Sequence, residues 1–180
     1  LREVGDLAYL SLVLSGSRRR PPEPPSGVEL RRAGRLTRGT DDRRRLLDLL
    51  NRTYEGTLDC PELCCMRDIE DILDSHLSAG EFDERHWLIA RHATGDVGCC
   101  LVSLTDQGAT GELVYIGFAP EARGRGLARW LLQTSIYGLR ATRAQRLVCA
   151  VDRRNAPAAR LYESLGFREF ASRRALVIPV

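Results

Sequence analysis

The chain has 180 residues, 27 basic and 24 acidic side chains, a formal net charge of +3 and 43% hydrophobic residues, which together predict one globular domain with a substantial core. Every basic residue is arginine, because the sequence contains no lysine. This excludes P-loop sites, Schiff-base and pyridoxal enzymes and kinases, since each needs a lysine amine at a defined position.

The first 14 residues read as a stub separate from the body of the chain. The apolar run 7–14 is too short for a membrane helix and lacks the flanks of a signal peptide, so it predicts a strand. The four prolines of residues 15–27 predict a linker. Leu-Arg-Glu-Val at the start is similar to Phe-Arg-Glu-Phe at 167–170, and both precede apolar runs. We therefore interpret 1–14 as the last strand of a preceding, related domain and 28–180 as one domain.

The body alternates between strand and helix patterns. Thr40, two aspartates and four leucines predict a capped helix from position 41, and Thr94-Gly95-Asp96 predicts a hairpin turn. The other predictions are strands at 28–32, 86–90, 97–104, 112–118 and 147–151, helices at 67–77, 126–140 and 156–165, and a final strand pair. Hairpins followed by crossover helices predict an α/β fold with a central mixed β-sheet flanked by helices.

The six cysteines do not form the framework of a disulfide-rich secreted protein. Cys99 and Cys100 are adjacent on a predicted strand and point to opposite faces. Cys60, Cys64 and Cys65 have no histidine nearby in sequence, so we expect no metal site. Reduced thiols and a cytoplasmic location are the expectation.

Residues 114–128 combine a strand, a glycine-rich turn and the first turn of a helix. Gly124 and Gly126 allow close approach of a ligand to the backbone, and we expect Arg123 and Arg125 to add mobile positive charge beside them. The free N–H groups at the positive end of the helix dipole belong to Gly124, Arg125, Gly126, Leu127, Ala128 and Arg129. The pattern predicts a pyrophosphate site. It is not the dinucleotide motif G-x-G-x-x-G, because Arg129 stands where the third glycine belongs.

Two motifs resemble a known family. R-x-x-G-x-A, formed by Arg123, Gly126 and Ala128, resembles the acetyl-CoA signature of the GNAT superfamily of N-acetyltransferases. Residues 155–167 are similar to the family's N-x-x-A-x-x-L-Y-x-x-x-G-F segment. The resemblance covers 28–180 and implies the GNAT fold with acetyl-CoA as co-substrate. The stub suggests a tandem arrangement of domains, and within the family the sequence most resembles the mycothiol-synthase-like tandem acetyltransferases.

The resemblance also implies roles for single residues. The strand before the signature should splay from its neighbour and pair with the pantetheine arm through Ile116, Gly117 and Phe118, with a bulge at Gly117. Glu112 corresponds to the catalytic base, acting through a water, and Tyr162 to the acid that protonates the thiolate. Asn155 is expected to cap its helix and, secondarily, to contact the cofactor.

The expected reaction is direct attack of a primary amine, on a small molecule or peptide, at the acetyl group of acetyl-CoA. Segment 54–63 offers Glu55, Asp59 and Glu62 to such an amine. One alternative is a catalytically degenerate acetyl-CoA-binding or sensor domain. Another is an arginine-rich nucleic-acid-binding module, which the small net charge and interleaved acidic residues disfavour. We expect neither a nucleic-acid nor a membrane partner.

The apolar stub should pair with a sheet, because an exposed strand invites aggregation. A proline-rich linker of this length reaches about 40 Å, so its own domain or a neighbouring chain, as in a homodimer, is within reach. Removal of residues 1–15 should then reduce solubility or stability and leave acetyl-CoA binding intact.

Overall fold

The computed structural model describes residues 2–15, 20–63 and 66–177. Within them, seven strands form one sheet in the order β2-β3-β4-β5-β6-β1-β7. All neighbouring strands are antiparallel except β5 and β6, which are parallel. The strands are β1 Arg2–Val13, β2 Glu29–Arg32, β3 Trp87–His92, β4 Gly95–Thr105, β5 Thr110–Phe118, β6 Arg146–Asp152 and β7 Arg168–Val177. The α-helices are α1 Asp41–Tyr54, α2 Ile69–Ser78, α3 Leu127–Leu139 and α4 Ala156–Ser164. None of the described helices is long and apolar enough to cross a membrane.

The first two helices start where the sequence places capping side chains. Thr40 Oγ1 accepts a hydrogen bond from the N–H of Arg43 (3.3 Å), which confirms the predicted cap of α1. Asp68 caps α2 in the same way. Arg43 is 3% exposed, and its guanidinium binds Glu70 at 2.5 Å and Asp74 at 2.6 Å. This charged pairing joins α1 to α2.

The sheet separates two hydrophobic cores. One core packs α3 and α4 against the sheet and includes Cys100, Leu131 and Tyr162. The other packs α1 and α2 against the opposite face and includes Leu50, Trp87 and Cys99. The adjacent cysteines therefore lie on opposite faces, as predicted from the period of a strand. Cys64 and Cys65 lie outside the described residues.

The N-terminal strand lies inside the sheet. β1 pairs with β6 over Leu7–Val13 and with β7 over most of its length. The prediction that the stub is sheet-paired is confirmed, and the strand is longer than the apolar run. The prediction of a final strand pair is wrong: after α4 the described chain forms the single strand β7, and its sheet partner is β1.

Candidate active site

A cleft opens where β5 and β6 part. The two strands pair only at their beginnings, where residues 110–112 face residues 146–148. Beyond Glu112 the edge of β5 that faces β6 has no ladder partner in the described sheet, and a cavity of about 500 Å³ lies there. The expected splay of these strands is thus present. The cavity lining includes ten of the residues expected to bind the cofactor or to act in catalysis: Ile116, Gly117, Phe118, Arg123, Gly124, Gly126, Leu127, Ala128, Asn155 and Tyr162.

The bulge in β5 lies at Val114 and not at Gly117. Leu113 pairs with Val102 and Tyr115 with Leu101, so Val114 is the extra residue. Gly117 pairs in regular register with Cys99. Its lack of a side chain has another reason, because a Cβ at Gly117 would lie 2.4 Å from the Tyr115 hydroxyl oxygen.

The turn after β5 presents free backbone donors to the cavity. Gly124 and Gly126 both have φ of +73°, a left-handed conformation that strongly favours glycine. A Cβ at either position would meet nothing within 4 Å, so open space lies beside both. Gly126 is the N-cap of α3, and no side chain caps this helix. The first N–H groups of an α-helix have no intrahelical acceptors, and at the start of α3 no capping side chain accepts from them. These features fit an anionic phosphate group.

The three arginines of this turn differ in their surroundings. The Arg123 guanidinium donates to the carbonyls of Phe118 (2.9 Å), Thr53 (3.1 Å) and Glu55 (2.6 Å). It therefore fastens the end of α1 to the end of β5, and the expectation that it supplies mobile charge is wrong. Arg125 is exposed, and Arg129 binds Ser164 Oγ at 2.5 Å. Neither Arg125 nor Arg129 lines the cleft.

Glu112 stands at the closed end of the cleft. It is the last residue of β5 that pairs with β6, and it is half-buried. Desolvation raises the pKa of its carboxyl. Its partner on β4 is Ser103, a fully buried residue whose hydroxyl has no hydrogen-bond partner in the described structure. The carboxyl itself does not line the cavity.

Tyr162 and Asn155 border the cleft from α4. The Tyr162 ring is 4% exposed and packs 5.4 Å from the Phe167 ring, centroid to centroid. Burial raises the pKa of this phenol well above its usual value, so it stays protonated and can donate a hydrogen bond. Asn155 Oδ1 accepts from the N–H of Ala158 at 3.2 Å, which confirms the predicted cap of α4.

The loop after α1 forms the opposite rim and is tied to the end of β6. Asp59 Oδ1 accepts from the N–H of Asp152 (2.7 Å), and Arg154 binds Asp152 (2.6 Å) and Glu62 (2.5 Å). The Arg154 guanidinium holds the pKa of Glu62 below its usual value. Of the three acidic residues expected to face an acceptor amine, only Asp59 lines the cavity, while Glu62 is paired and Glu55 is exposed.

The sequence did not reveal an aromatic group beside the cleft. Tyr115 lines the cavity and stacks on Tyr54 at 4.9 Å and on His76 at 5.4 Å between ring centroids. Its hydroxyl donates to Thr53 Oγ1 at 3.0 Å. Burial lowers the pKa of His76 to about 4, so its imidazole is neutral at neutral pH. Alternation along β5 could have drawn attention to Tyr115, whereas His76 carries no local signal.

Comparison with known proteins gives a consistent group of relatives. Residues 44–167 match the model of the Acetyltransferase (GNAT) family. A mycothiol acetyltransferase of Acidothermus cellulolyticus is 45% identical over 62 residues, which cover 34% of this chain and 19% of the relative. A mycothiol acetyltransferase of Beutenbergia cavernae is 38% identical over 96 residues, covering 52% of this chain and 31% of the relative. The chain thus spans no more than about a third of these relatives.

Solved structures share the fold. A GCN5-related N-acetyltransferase from Sphaerobacter thermophilus superposes with a TM-score of 0.69 at 23% identity, covering 96% of this chain and 51% of that chain. A GCN5-related N-acetyltransferase from Kribbella flavida gives a TM-score of 0.57 at 14% identity, covering 95% of this chain and 57% of that chain.

Proposed function

Since the chain belongs to the GNAT acetyltransferase family, we propose that it transfers the acetyl group of acetyl-CoA to a primary amine of a small molecule or peptide. One observation carries the proposal. The unpaired edge of β5 leads directly to the glycine-rich turn and to the uncapped start of α3. An extended arm that ends in a pyrophosphate fits a strand edge followed by a cluster of N–H donors.

Acetyl-CoA would supply a thioester, and the protein would bind it through backbone groups. The backbone of Gly124, Gly126, Leu127 and Ala128, which line the cleft, would hold its pyrophosphate, with the exposed Arg125 nearby in sequence. Ile116, Gly117 and Phe118 lie on the strand edge where the pantetheine arm would run. An N–H of this edge would polarise the thioester carbonyl.

Glu112 and Tyr162 support proton transfer on the two sides of the reaction. A protonated amine must lose a proton before attack, and the raised pKa of Glu112 makes it a better base near neutral pH. Its distance from the open cavity favours a water as the intermediary. As the carbon–nitrogen bond forms and the carbon–sulfur bond breaks, the Tyr162 phenol donates a proton to the sulfur, and the proton that the acylated nitrogen loses restores the phenol. This pairing favours an enzyme over the sensor alternative.

The relatives suggest which acceptor to test first. The curated relatives carry the name mycothiol acetyltransferase, so the acceptor of those enzymes is the first candidate. Asp59 is the acidic side chain in the cavity that would attract an amine. Other primary amines, including peptides with a free amino terminus, are the second set of acceptors to test.

The experiment begins with binding. Acetyl-CoA should raise Tm, and Gly126→Asp should abolish the shift, because the carboxylate places negative charge beside the phosphate and strains a left-handed position. Gly39→Asp is the matched control, since Gly39 also has positive φ (+86°) and open space around it but does not line the cleft. Amine-dependent release of free thiol then measures turnover. A shift that survives in folded Gly126→Asp protein would refute the assigned cofactor site.

A further inference from the structure

Residues 55–62 of the loop after α1, which we call the bridging segment, are anchored to both of the strands that part at the cleft. At the start of the segment, the Arg123 guanidinium, from the turn after β5, donates to the Glu55 carbonyl at 2.6 Å. Further along, Asp59 Oδ1 accepts from the N–H of Asp152 at the end of β6 (2.7 Å). Four residues of the segment line the cavity. The bridging segment therefore forms a wall of the cleft that is held from β5 at one end and from β6 at the other.

The Arg123 side chain binds backbone carbonyls only. Its Nη2 donates to the carbonyls of Thr53 and Glu55, and its Nε donates to that of Phe118. Thr53 lies in the last turn of α1 and Glu55 is the C-cap residue, where carbonyls lack intrahelical donors and the helix dipole is negative. One charged side chain thus satisfies two carbonyls at the helix end, and a charged donor makes such hydrogen bonds stronger than neutral ones.

The backbone of Arg123 belongs to the turn that would hold the cofactor. Gly124 is the next residue, and Gly126 is the N-cap of α3. A phosphate group bound to the backbone N–H groups of this turn would restrict its dihedral angles. Arg123 therefore joins the cofactor side of the cleft, through its backbone, to the bridging segment, through its side chain.

Other contacts hold α1 in place independently of Arg123. Arg52, in the last turn of α1, pairs with Glu121, and the apolar face of the helix is buried in the core that includes Leu50. Among the described residues, however, only Arg123 donates to the Glu55 carbonyl. Loss of the guanidinium should consequently free the start of the bridging segment without detaching the helix.

We propose that Arg123 is a positioning residue that couples the bound cofactor to the acceptor side of the cleft. The inference rests on the proposed function, which places acetyl-CoA at the turn and the amine beside Asp59. A cofactor that orders the turn restricts the guanidinium, and the guanidinium restricts the Glu55 carbonyl and the residues that follow it. The bridging segment is thus better ordered when the cofactor is bound. By linkage, an acceptor that needs the ordered segment strengthens cofactor binding by the same factor.

Hydrogen–deuterium exchange with and without CoA tests the proposal. In the parent protein, CoA should slow exchange of the bridging segment about threefold or more and that of residues 41–50 in α1 less than about twofold. In Arg123→Met, exchange of the segment should be about tenfold faster, because a charge-assisted hydrogen bond is lost, and should not respond to CoA. Calorimetry should show that CoA still binds this variant, since its phosphates contact backbone N–H groups.

Two further variants separate coupling from a general loss of stability. Arg52→Met removes an arginine from the same helix end without touching the Glu55 carbonyl, so the response of the bridging segment to CoA should remain. Arg123→Lys keeps a charged donor but cannot reproduce all the hydrogen bonds of the guanidinium. Its response should therefore lie between those of the parent protein and Arg123→Met.

The outcomes distinguish this proposal from the proposed function. A bridging segment that does not respond to CoA in the parent protein, or a response that survives in Arg123→Met, would contradict the coupling and leave the cofactor site standing. Equal loss of the response in Arg52→Met would assign the effect to the attachment of α1. Loss of CoA binding in folded Arg123→Met would show that Arg123 holds the cofactor itself.

Two remaining outcomes are also decisive. Absence of CoA binding to the parent protein would refute the proposed cofactor site, and this inference with it. If Arg123→Met does not fold, Arg123→Lys decides in its place, and its response to CoA should be at most about half that of the parent protein. A full response in Arg123→Lys would then overturn the proposal.

Discussion

The half-buried carboxyl of Glu112 gives the proposed reaction its pH dependence. Desolvation raises its pKa, so the acid limb of the rate profile should lie above the ordinary glutamate range. Glu112→Gln should lower kcat/KM roughly 10²- to 10⁴-fold near neutral pH. Part of the defect should disappear at high pH, where the free amine is abundant. The pH–rate profile measures both, and Glu29→Gln, on the exposed strand β2, is the control. A defect that stays constant up to high pH would contradict the role of base.

The Tyr162 phenol should give a different profile. Its raised pKa keeps it protonated over the whole working range, so Tyr162→Phe should lower kcat by roughly 10²- to 10⁴-fold at every pH. The ring and its contact with Phe167 remain, and acetyl-CoA should bind the variant as before. Steady-state kinetics measure the loss of kcat, and calorimetry of the same sample measures acetyl-CoA binding. Parallel pH profiles for the Tyr162 and Glu112 variants would rule out the division between acid and base.

At the scale of structural elements, Arg154 joins the loop after α1 to the end of β6, because its guanidinium binds both Glu62 and Asp152. Asp152 is fully buried, and its pKa is lowered chiefly by the hydrogen bond from Arg154. Arg154→Gln should lower Tm by a few degrees at neutral pH and raise KM for the acceptor more than for acetyl-CoA. Arg153→Gln is the control, because the neighbouring Arg153 pairs with Glu169 and Asp6 on the surface.

The same variant has a defined response to pH. A carboxyl with a lowered folded-state pKa stabilises the protein above its unfolded pKa, and this stabilisation is lost as the pH falls through the folded value. The difference in Tm between Arg154→Gln and the parent protein should therefore shrink below about pH 4. Thermal unfolding from pH 7 to pH 3 measures it. A difference that grows in acid would show that Arg154 acts through another contact.

The elements that local sequence predicts are those stabilised by local interactions. Thr40 and Asn155 cap helices within a few residues, and the glycines of the turn need only their own dihedral angles. Contacts between segments that are distant in the sequence leave no local pattern from which they could be predicted. Arg123 reaches a carbonyl 70 residues away, so its structural role was invisible in the motif. The bulge at Val114 likewise depends on register with β4.

The position of β1 between β6 and β7 changes the expectation for the N-terminus. Ala8 and Tyr9 pair with Val151 and Ala150, two residues that line the cleft. Deletion of residues 1–15 should therefore lower Tm and also weaken acetyl-CoA binding at least tenfold, in contrast to the expectation from sequence. A synthetic peptide of residues 1–15, added in excess, should restore the ligand-induced shift. Full binding by the truncated protein would show that β6 holds its place without β1.

The same arrangement sets the order in which the protein can assemble during synthesis. β1 is synthesised before the other strands of this sheet, yet Leu7 pairs with Asp152, which is 145 residues later in the chain. At typical rates of translation, β1 waits about 7 to 30 s for this partner. Meanwhile its apolar side chains are available to other strands or to chaperones. We therefore expect closure of the sheet between β6 and β7 to be a late and slow step of folding, because its contacts join the most distant parts of the described chain.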